Sequence, residues 1–203
     1  MHRVSILMLP GWTNSGPDHW QSHWERAHAE YQRVQQDDWE RPDRADWLRK
    51  IDAEIRKNDP PIVLVGHSLG CIAAVEWAVS ADSTSLARVV GAFLVAPADT
   101  ERHSAPEVLH PWRPVPLTRL RFPSLLVASR TDDSASFARS ELFASAWGSS
   151  LIDAGDAGHI HTAAGYGPWP EGQRLLDDFI ARLLTERPNQ AMQRTAGRAG
   201  GAG

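Results

Sequence analysis

The chain has 203 residues, a formal net charge of -4 at pH 7 and one cysteine. This length suits one domain with a full core, while the acidic balance argues against nucleic acid or anionic membranes as partners, because those select clustered lysine and arginine. One cysteine excludes an internal disulfide, and no stretch reaches the roughly 20 apolar residues that a membrane span requires.

Short apolar runs alternate with helical patterns along the chain, an order that is typical of a parallel sheet covered by helices on both faces. The first run, residues 4–9, ends at Pro10-Gly11 and is too short for the apolar region of a signal peptide, so we predict a buried strand. Further strands are predicted at residues 62–65, 89–95, 125–128 and 151–152, with a weaker candidate around Val34. Helices are predicted at residues 18–29, 44–57, 71–79, 136–147 and 170–184.

Two segments depart from this alternation. Residues 97–123 carry several prolines and little periodicity, and a connection of this length is either a short cap or pocket wall, or a passive surface loop. Residues 187–203 have almost nothing to bury and are predicted to form a disordered tail. The sequence therefore predicts one three-layer α/β domain over residues 1–186, with a mainly parallel central sheet of about six strands.

The motif Gly66-His67-Ser68-Leu69-Gly70 joins a predicted strand to the helix that follows it. A Gly-x-Ser-x-Gly motif in this position is a nucleophile elbow, in which a sharp turn forces the serine into a strained conformation. The two glycines allow the strand and the helix to approach closely. The turn lifts the serine hydroxyl above the sheet edge, beside a helix N-terminus whose free N–H groups hold a developing oxyanion. The motif predicts an α/β-hydrolase fold with Ser68 as its nucleophile.

A serine nucleophile needs a base, and the base needs an acid that orients it. In this fold the acid and then a histidine follow the serine, each on a loop after a later strand. Asp132 and Asp133 follow one such strand, and the residues alone leave either of them as the acid. Asp153 and Asp156 are weaker candidates because they share a loop with the histidine that they would have to orient.

Position selects the base among the histidines. His159 lies beyond the last predicted strand and follows Gly158, which gives the backbone room to turn the ring toward Ser68. His161 is the alternative, since a mobile loop can present either ring. His67 precedes the serine within the elbow, so we expect its side chain to point elsewhere and to pack at the wall of the substrate pocket.

The loop after the first strand, residues 10–16, is the second source of oxyanion donors in this fold. We predict an oxyanion hole made of the backbone N–H groups of Leu69 and Trp12. Losing one such donor costs on the order of 3 kcal/mol of transition-state stabilisation. Trp12 is also assigned to the substrate pocket, together with His67.

Three histidines near the N-terminus raise the question of a metal. His19 and His23 lie four residues apart on a predicted helix, with His28 further along, and such a spacing allows two histidines to share an ion. No glutamate lies within the spacing and no third ligand follows at a familiar interval, so we predict no metal site. A solvated helix face accounts for these histidines, and the predicted chemistry needs no cofactor.

Five short motifs together resemble a known family. They are Pro-Gly-Trp-x-Asn-Ser at 10–15, Gly-His-Ser-Leu-Gly at 66–70, Leu-Val-Ala-Pro-Ala-Asp at 94–99, Ala-Ser-Arg-Thr-Asp at 128–132 and Gly-His at 158–159. Over residues 4–184 the chain resembles the bacterial branch of the small serine hydrolases related to retinoblastoma-binding protein nine. The resemblance implies a compact α/β-hydrolase with esterase activity and no large lid. It also implies that Asp132 is the acid, since ungapped matching through Phe137 leaves Asp133 where the family has proline.

The leading hypothesis is a carboxylic ester hydrolase in which Ser68 forms an acyl-enzyme, His159 moves its proton and Asp132 orients His159. The same residues would serve a thioesterase, an amidase or an acyltransferase, which the sequence does not separate. The alternative class is a binding or scaffold protein that keeps the fold without catalysis. We expect a small ester or acyl substrate and a cytoplasmic monomer or small homo-oligomer, with no nucleic-acid or membrane partner.

Overall fold

The computed structural model describes residues 4–199, and side chains as far as residue 185. It divides into two compact units, residues 1–169 and 170–203. The first unit is built on six strands: β1 (Ser5–Leu9), β2 (Tyr31–Arg33), β3 (Ile62–His67), β4 (Val89–Val95), β5 (Ser124–Ala128) and β6 (Ser150–Asp153). They form one sheet in the order β2-β1-β3-β4-β5-β6, and every neighbouring pair is parallel. The predicted α/β class with about six parallel strands is confirmed.

Helices connect the strands of this unit: α1 (Trp20–Ala27), α2 (Arg44–Lys57), α3 (Leu69–Ser80), α4 (Ser83–Leu86) and α5 (Phe137–Trp147). β2 lies on one side of β1 and all later strands lie on the other. Right-handed crossovers then place α1 on one face of the sheet and α2, α3 and α5 on the opposite face. Helix α2 packs directly against α3, in agreement with this arrangement. Helix α1, the sheet and the group of α2, α3 and α5 form the three predicted layers.

The middle of the sheet is fully enclosed. Every residue of β3 and β4 is buried, as expected of central parallel strands that consist largely of valine, leucine and isoleucine. Helix α3 packs on β3 and is apolar almost all round, so it is buried over most of its length. The elements that carry the central motif are therefore among the most rigidly packed in the molecule.

The direction in which the chain moves across the sheet reverses between β1 and β3. From β1 the chain crosses to β2 on one side, whereas from β3 it crosses to β4 on the other. In open parallel sheets the crevice at such a switch point, outside the carboxyl ends of the strands, is the usual ligand site. Leu9 pairs with Gly66, so the loops that follow β1 and β3 begin side by side at this crevice.

Helix α3 crosses very close to the end of β1 at Gly70. A Cβ atom at this position would lie 1.9 Å from the carbonyl oxygen of Leu9 and 2.8 Å from that of Pro10. Both atoms belong to the backbone, so the clash is relieved only if the helix or the strand moves. We expect Gly70→Ala to lower the free energy of unfolding by about 3 kcal/mol or more, measured by urea denaturation.

Gly16→Ala is the matched control, because a Cβ atom at Gly16 would meet no atom within 4 Å. This loop substitution is expected to change the free energy of unfolding by less than about 0.5 kcal/mol. Equal stabilities for Gly70→Ala and Gly16→Ala would show that α3 and β1 do not approach as closely as described.

The segment of residues 97–123 is an ordered part of the first unit. It contains a 3-10 helix, Glu107–Trp112, from which Leu109 and Trp112 are buried. The indole N–H of Trp112 donates to the carbonyl oxygen of Pro42 at 3.0 Å and ties the segment to the chain before α2. Of the two interpretations that the sequence allows, a passive surface loop does not fit this packing.

The second unit contains α6 (Pro170–Ala199) and is described by itself. Pro170 begins the helix, where its missing N–H needs no partner. The helix continues past residue 184, so the backbone of residues 187–199 is helical where the sequence predicts a disordered tail. Alanine, glutamine and arginine in this part favour helix, whereas Pro188 and Gly197 disfavour it. Residues 200–203 of the predicted tail lie outside the described residues, and no helix within 4–199 is long and apolar enough to cross a membrane.

Candidate active site

Ser68 occupies the turn between β3 and α3 in a strained backbone conformation, with φ 55° and ψ -123°. A positive φ is uncommon for a residue with a side chain and is found preferentially at functional sites. The Ser68 N–H donates to the carbonyl oxygen of Val95 at 3.1 Å, and a Cβ atom at Gly66 would lie 2.9 Å from the nitrogen of Cys71. The backbone thus makes the sharp strand-to-helix turn that the motif predicts.

A chain of hydrogen bonds runs from Ser68 through His159 to Asp132. Ser68 Oγ lies 2.9 Å from His159 Nε2, and His159 Nδ1 lies 2.8 Å and 2.9 Å from the two carboxylate oxygens of Asp132. A carboxylate only accepts, so Nδ1 carries the ring proton and Nε2 of the neutral ring accepts from the serine hydroxyl. The carboxylate is buried, with 3% of the Asp132 side chain exposed, so its attraction for the ring is little weakened by water.

The loops after β5 and β6 are fastened to each other. Ser129 Oγ accepts from the Ala157 N–H at 2.9 Å, and Thr131 Oγ1 accepts from the Gly158 N–H at 3.0 Å. Gly158 has φ 54° and directly precedes His159, which explains the need for glycine there. These contacts set the backbone of the histidine loop against the backbone of the loop that carries the aspartate.

The geometry separates the alternatives that the sequence leaves open. Asp132 contacts His159, whereas Asp133 is exposed and accepts a hydrogen bond from a neighbouring serine hydroxyl. The ring of His161 lies 5.6 Å from that of His159, centre to centre, and it is the His159 ring that contacts Ser68. Asp133 and His161 both line the pocket in front of this group.

The two backbone N–H groups predicted to bind an oxyanion have no hydrogen-bond acceptor among the described residues. Leu69 is the first residue of α3, so its N–H has no acceptor within the helix. Within the described part of the chain, no acceptor contacts the N–H of Trp12 either. A Cβ atom at Gly11 would lie 2.8 Å from Ser68 Cβ, which shows how closely the loop after β1 approaches the serine. Gly11, the residue before Trp12, therefore lies against Ser68, and the oxyanion hole of Leu69 and Trp12 stays a prediction.

His67 lies behind the base and holds its backbone. Its Nε2 is 2.9 Å from the carbonyl oxygen of His159, and since a carbonyl accepts, this nitrogen donates. Burial lowers the pKa of His67 well below its ordinary value, and the neighbouring histidines His19 and His159 lower it further. His67 is thus a neutral donor that packs at the wall of the pocket, the position predicted from the sequence.

The prediction that a solvated helix face explains His19 is wrong. His19 is 6% exposed, and its ring lies 4.7 Å from that of His67, centre to centre. Its Nδ1 accepts from the Gln21 N–H at 3.2 Å and so caps the N-terminus of α1. His23 is partly exposed, as is His28. The sequence does not predict this capping role, because histidine is not among the residues that usually cap helices.

Burial of His19 makes the stability of the fold depend on pH. Burial, and then the charges of His161 and Arg33, lower the pKa of His19 from 6.5 to about 3. Below pH 6.5 His19 binds a proton in the unfolded chain but stays neutral in the folded protein. The free energy of unfolding therefore falls as pH decreases from 6.5 toward 3. The slope that His19 contributes reaches about 1.4 kcal/mol per pH unit. Urea denaturation at a series of pH values between 6.5 and 4 measures it.

His19→Asn retains a capping side chain and does not titrate, so we expect it to flatten this slope. His67 contributes in the same direction and leaves part of the slope in place. His103→Asn changes an exposed histidine and serves as the control, for which the slope of the unmodified protein is expected. The account of His19 fails if both variants and the unmodified protein share one slope.

A pocket of about 350 Å³ opens in front of Ser68. The loop after β1 supplies part of its wall, including Trp12, which the sequence predicts to line the substrate pocket. Residues 97–123 supply the opposite part, through Ala98, Arg102, Pro106 and Leu109. This segment is therefore a pocket wall, which is the first of the two interpretations that the sequence allows.

One group of side chains in the described residues has the spacing of metal ligands. Ligand atoms of Asp132, Asp133 and His159 all lie within 4.8 Å of one another. His159 Nδ1 already donates to Asp132, however, and a metal ligand must present a free lone pair. The arrangement is better suited to orienting the histidine than to holding an ion, and the absence of a metal site stays a prediction.

The chain is similar to several known proteins. A family model described as serine hydrolase matches residues 6–178. A protein described as a YdeN-like hydrolase from Pectobacterium atrosepticum has 35% sequence identity and a TM-score of 0.79, over 89% of this chain and 92% of its own. No curated protein matches the chain.

Two further solved structures share the fold at lower identity. The ydeN gene product from B. subtilis has 19% identity and a TM-score of 0.68, over 88% of this chain and 98% of its own. Thermogutta terrifontis esterase 2, in a form phosphonylated by cyclosarin, has 17% identity and a TM-score of 0.63, over 89% of this chain and 82% of its own. At these identities the likeness establishes the fold alone.

Proposed function

Because the chain belongs to the serine hydrolase family, we propose that it is a carboxylesterase that forms an acyl-enzyme on Ser68. The observation that carries the proposal is the unbroken hydrogen-bonded chain from Ser68 Oγ through the His159 ring to the buried carboxylate of Asp132. A hydroxyl becomes a good nucleophile only when a positioned base removes its proton, and this chain provides that base and its orienting acid.

In the first half of the reaction Ser68 Oγ attacks the ester carbonyl carbon while its proton passes to His159 Nε2. The ring is then a cation, which the adjacent Asp132 carboxylate stabilises. The N–H groups of Leu69 and Trp12 bind the negative oxygen of the tetrahedral intermediate. When the intermediate collapses, the bond to the alcohol breaks, the alcohol takes the proton from Nε2, and the acyl group remains on Ser68.

In the second half water attacks the acyl-enzyme. His159 Nε2 takes a proton from the water, and a second tetrahedral intermediate forms with its oxygen in the same donor pair. Its collapse releases the carboxylic acid and returns the proton to Ser68 Oγ. No cofactor is needed at any step, since the base, the acid and the oxyanion donors all belong to the chain.

An ester is proposed in preference to other acyl compounds. Hydrolysis of thioesters or amides, and acyl transfer, would use the same residues. An enzyme named as an esterase has a similar fold at 17% identity, and this likeness of fold is what favours esters. A binding or scaffold protein without catalysis has no need for the strained Ser68 or the buried Asp132, each of which costs stability. The intact chain of hydrogen bonds therefore argues against this alternative.

Within the serine hydrolase family we infer a closer relation to the bacterial proteins related to retinoblastoma-binding protein nine. The motif Pro-Gly-Trp-x-Asn-Ser at 10–15 carries this inference, and residues of the motif line the pocket. A cytoplasmic location, a monomer or small homo-oligomer and a small-molecule substrate remain predictions from the sequence.

Hydrolysis of p-nitrophenyl esters tests the proposed function. A panel with acyl chains of increasing length is expected to show turnover that passes through a maximum, because the pocket in front of Ser68 is only about 350 Å³. Ser68→Ala protein, prepared in parallel, measures contaminating and background hydrolysis. The proposal fails if the unmodified protein releases p-nitrophenol no faster than this variant for every ester.

A further inference from the structure

Three buried polar atoms in the wall of the active-site pocket have no hydrogen-bond partner among the described residues. They are Nε2 of His19, Nε of Arg102 and Nδ1 of His161. Buried polar atoms in folded proteins nearly always have a partner, so a group of unpartnered ones in a single pocket calls for an explanation. These atoms reach a ligand only after a small rotation of their side chains, and a ligand in the pocket that then supplies the missing partners provides one.

Two of these three atoms are hydrogen-bond donors. His19 Nδ1 accepts from the Gln21 N–H, so the proton of the neutral ring resides on Nε2. The guanidinium of Arg102 has donors and no acceptor. The third atom, on His161, donates or accepts according to its tautomer. The two donors have no acceptor among the described residues, so a ligand that binds them brings acceptor oxygens.

The charge of Arg102 narrows the kind of acceptor. The Nε atoms of Arg44 and Arg139 also make no hydrogen bond, but the guanidinium of each forms an ion pair with a carboxylate. Among the described residues no carboxylate lies within 4.0 Å of the Arg102 guanidinium, which donates through Nη1 to the backbone oxygen of Asp99 at 3.2 Å. A cation in a pocket wall without a counter-ion favours an anionic ligand, and the planar guanidinium matches a carboxylate.

The acidic residues at the pocket do not cancel this preference. Asp132 already holds the His159 ring, so its charge is engaged there. Asp133 is exposed, and charge pairs in contact with water contribute little to binding. A ligand cation at Asp133 therefore gains less than a ligand carboxylate gains at the partly buried Arg102.

We propose that the ester substrate carries a free carboxylate and that Arg102 binds it while Ser68 attacks the ester carbonyl. His19 donates a hydrogen bond to the same substrate. This contribution is uncharged, whereas that of Arg102 is a charge. Arg102 is thus a specificity-determining residue. This proposal rests on the proposed esterase function and names the substrate class of that site.

Three matched esters test the proposal: mono(4-nitrophenyl) adipate, 4-nitrophenyl hexanoate and 4-nitrophenyl 6-aminohexanoate. They share a six-carbon acyl chain and a leaving group, and differ in ending with a carboxylate, a methyl group or an ammonium group. A second pair, 3-carboxyphenyl butyrate and phenyl butyrate, places the carboxylate on the leaving group instead. Rates without enzyme are subtracted for each ester.

We expect the carboxylate to raise kcat/KM about 10- to 100-fold in at least one of the two series, as one charged hydrogen bond would. Arg102→Gln should remove this advantage, measured within the variant as the ratio of kcat/KM for each carboxylate ester to that for its matched neutral ester. Arg102→Lys keeps the charge and should retain part of the advantage. Arg121→Gln, which changes an exposed arginine of the same segment, is the matched control and should retain all of it.

The outcomes separate this proposal from the one on which it rests. If no ester is hydrolysed above the Ser68→Ala background, the esterase function fails first. Hydrolysis of the neutral esters without any gain from the carboxylate overturns the substrate class alone. So does a preference for the aminohexanoate, and so does a carboxylate preference that Arg102→Gln leaves intact.

Discussion

Replacing Ser68 with alanine is expected to lower kcat for a good ester substrate by up to about a million-fold, and His159→Ala is expected to do nearly the same. The double variant should lose no more than either single one. In the proposed mechanism Ser68 and His159 act on one proton, through the contact of 2.9 Å between Oγ and Nε2, so neither would have a function once the other is removed.

Steady-state kinetics of the two single variants and the double variant measure this effect. Residual hydrolysis above the reaction in water is expected from the remaining oxyanion donors, Leu69 and Trp12, which do not depend on either side chain. Losses that multiply in the double variant would mean that Ser68 and His159 act independently. The assignment of His159 as the base would then be wrong.

Asp132→Asn is expected to lower kcat by about 10⁴-fold while leaving the fold intact. The amide has nearly the shape of the carboxylate, but its NH₂ group donates and cannot be the partner of a protonated Nδ1. His159 then favours the tautomer with the proton on Nε2, which is unable to accept from Ser68. The defect is therefore in the chemical step, and kcat should fall far more than KM changes.

Asp133→Asn is the control for this effect, since it removes an adjacent carboxylate that does not contact His159. We expect its kcat to stay within a few-fold of that of the unmodified protein. Thermal unfolding of both variants checks that they fold. Equal losses for Asp132→Asn and Asp133→Asn would show that the two carboxylates share the role, and a loss confined to Asp133→Asn would reverse the assignment.

Local rules were enough to predict the parts of the site that depend on neighbours in the chain. The strand–Gly-x-Ser-x-Gly–helix order predicts the turn at Ser68, because the backbone strain at Ser68 and the close approach of Gly66 to Cys71 are set within a few residues. The topology of the sheet then limits the acid and the base that serve Ser68 to loops after later strands, and these loops carry Asp132 and His159. Parallel strands bring the ends of all such loops to one edge of the sheet.

Other features depend on contacts that no local pattern contains. Asp132 and Asp133 are adjacent and chemically identical, and only the tertiary position of the His159 ring distinguishes them. His19 is predicted to be solvated, yet its ring packs against His67 from another element. Tertiary packing overrides exposure patterns in such cases, since burial is decided by what covers a residue and not by its own sequence position.

The extent of the last helix differs from the prediction for another reason. The composition of residues 187–203 lacks the apolar residues that would order a segment by burial, which favours a disordered tail. The backbone is nevertheless helical to Ala199, as a continuation of α6. Extending an existing helix needs no new nucleus, so the alanine, glutamine and arginine residues of this part can follow it without burial of their own, against the opposing effect of Pro188 and Gly197.

Labelling with a fluorophosphonate tests the central claim, an activated serine at position 68, most directly. Attack by Ser68 Oγ on phosphorus displaces fluoride and leaves a stable adduct, and the attack requires His159 to take the serine proton. Intact-mass measurement and peptide mapping should find one adduct, on the peptide that contains Ser68, and none on Ser68→Ala protein. An unmodified protein that remains unlabelled, or a Ser68→Ala variant that labels equally, would contradict the account.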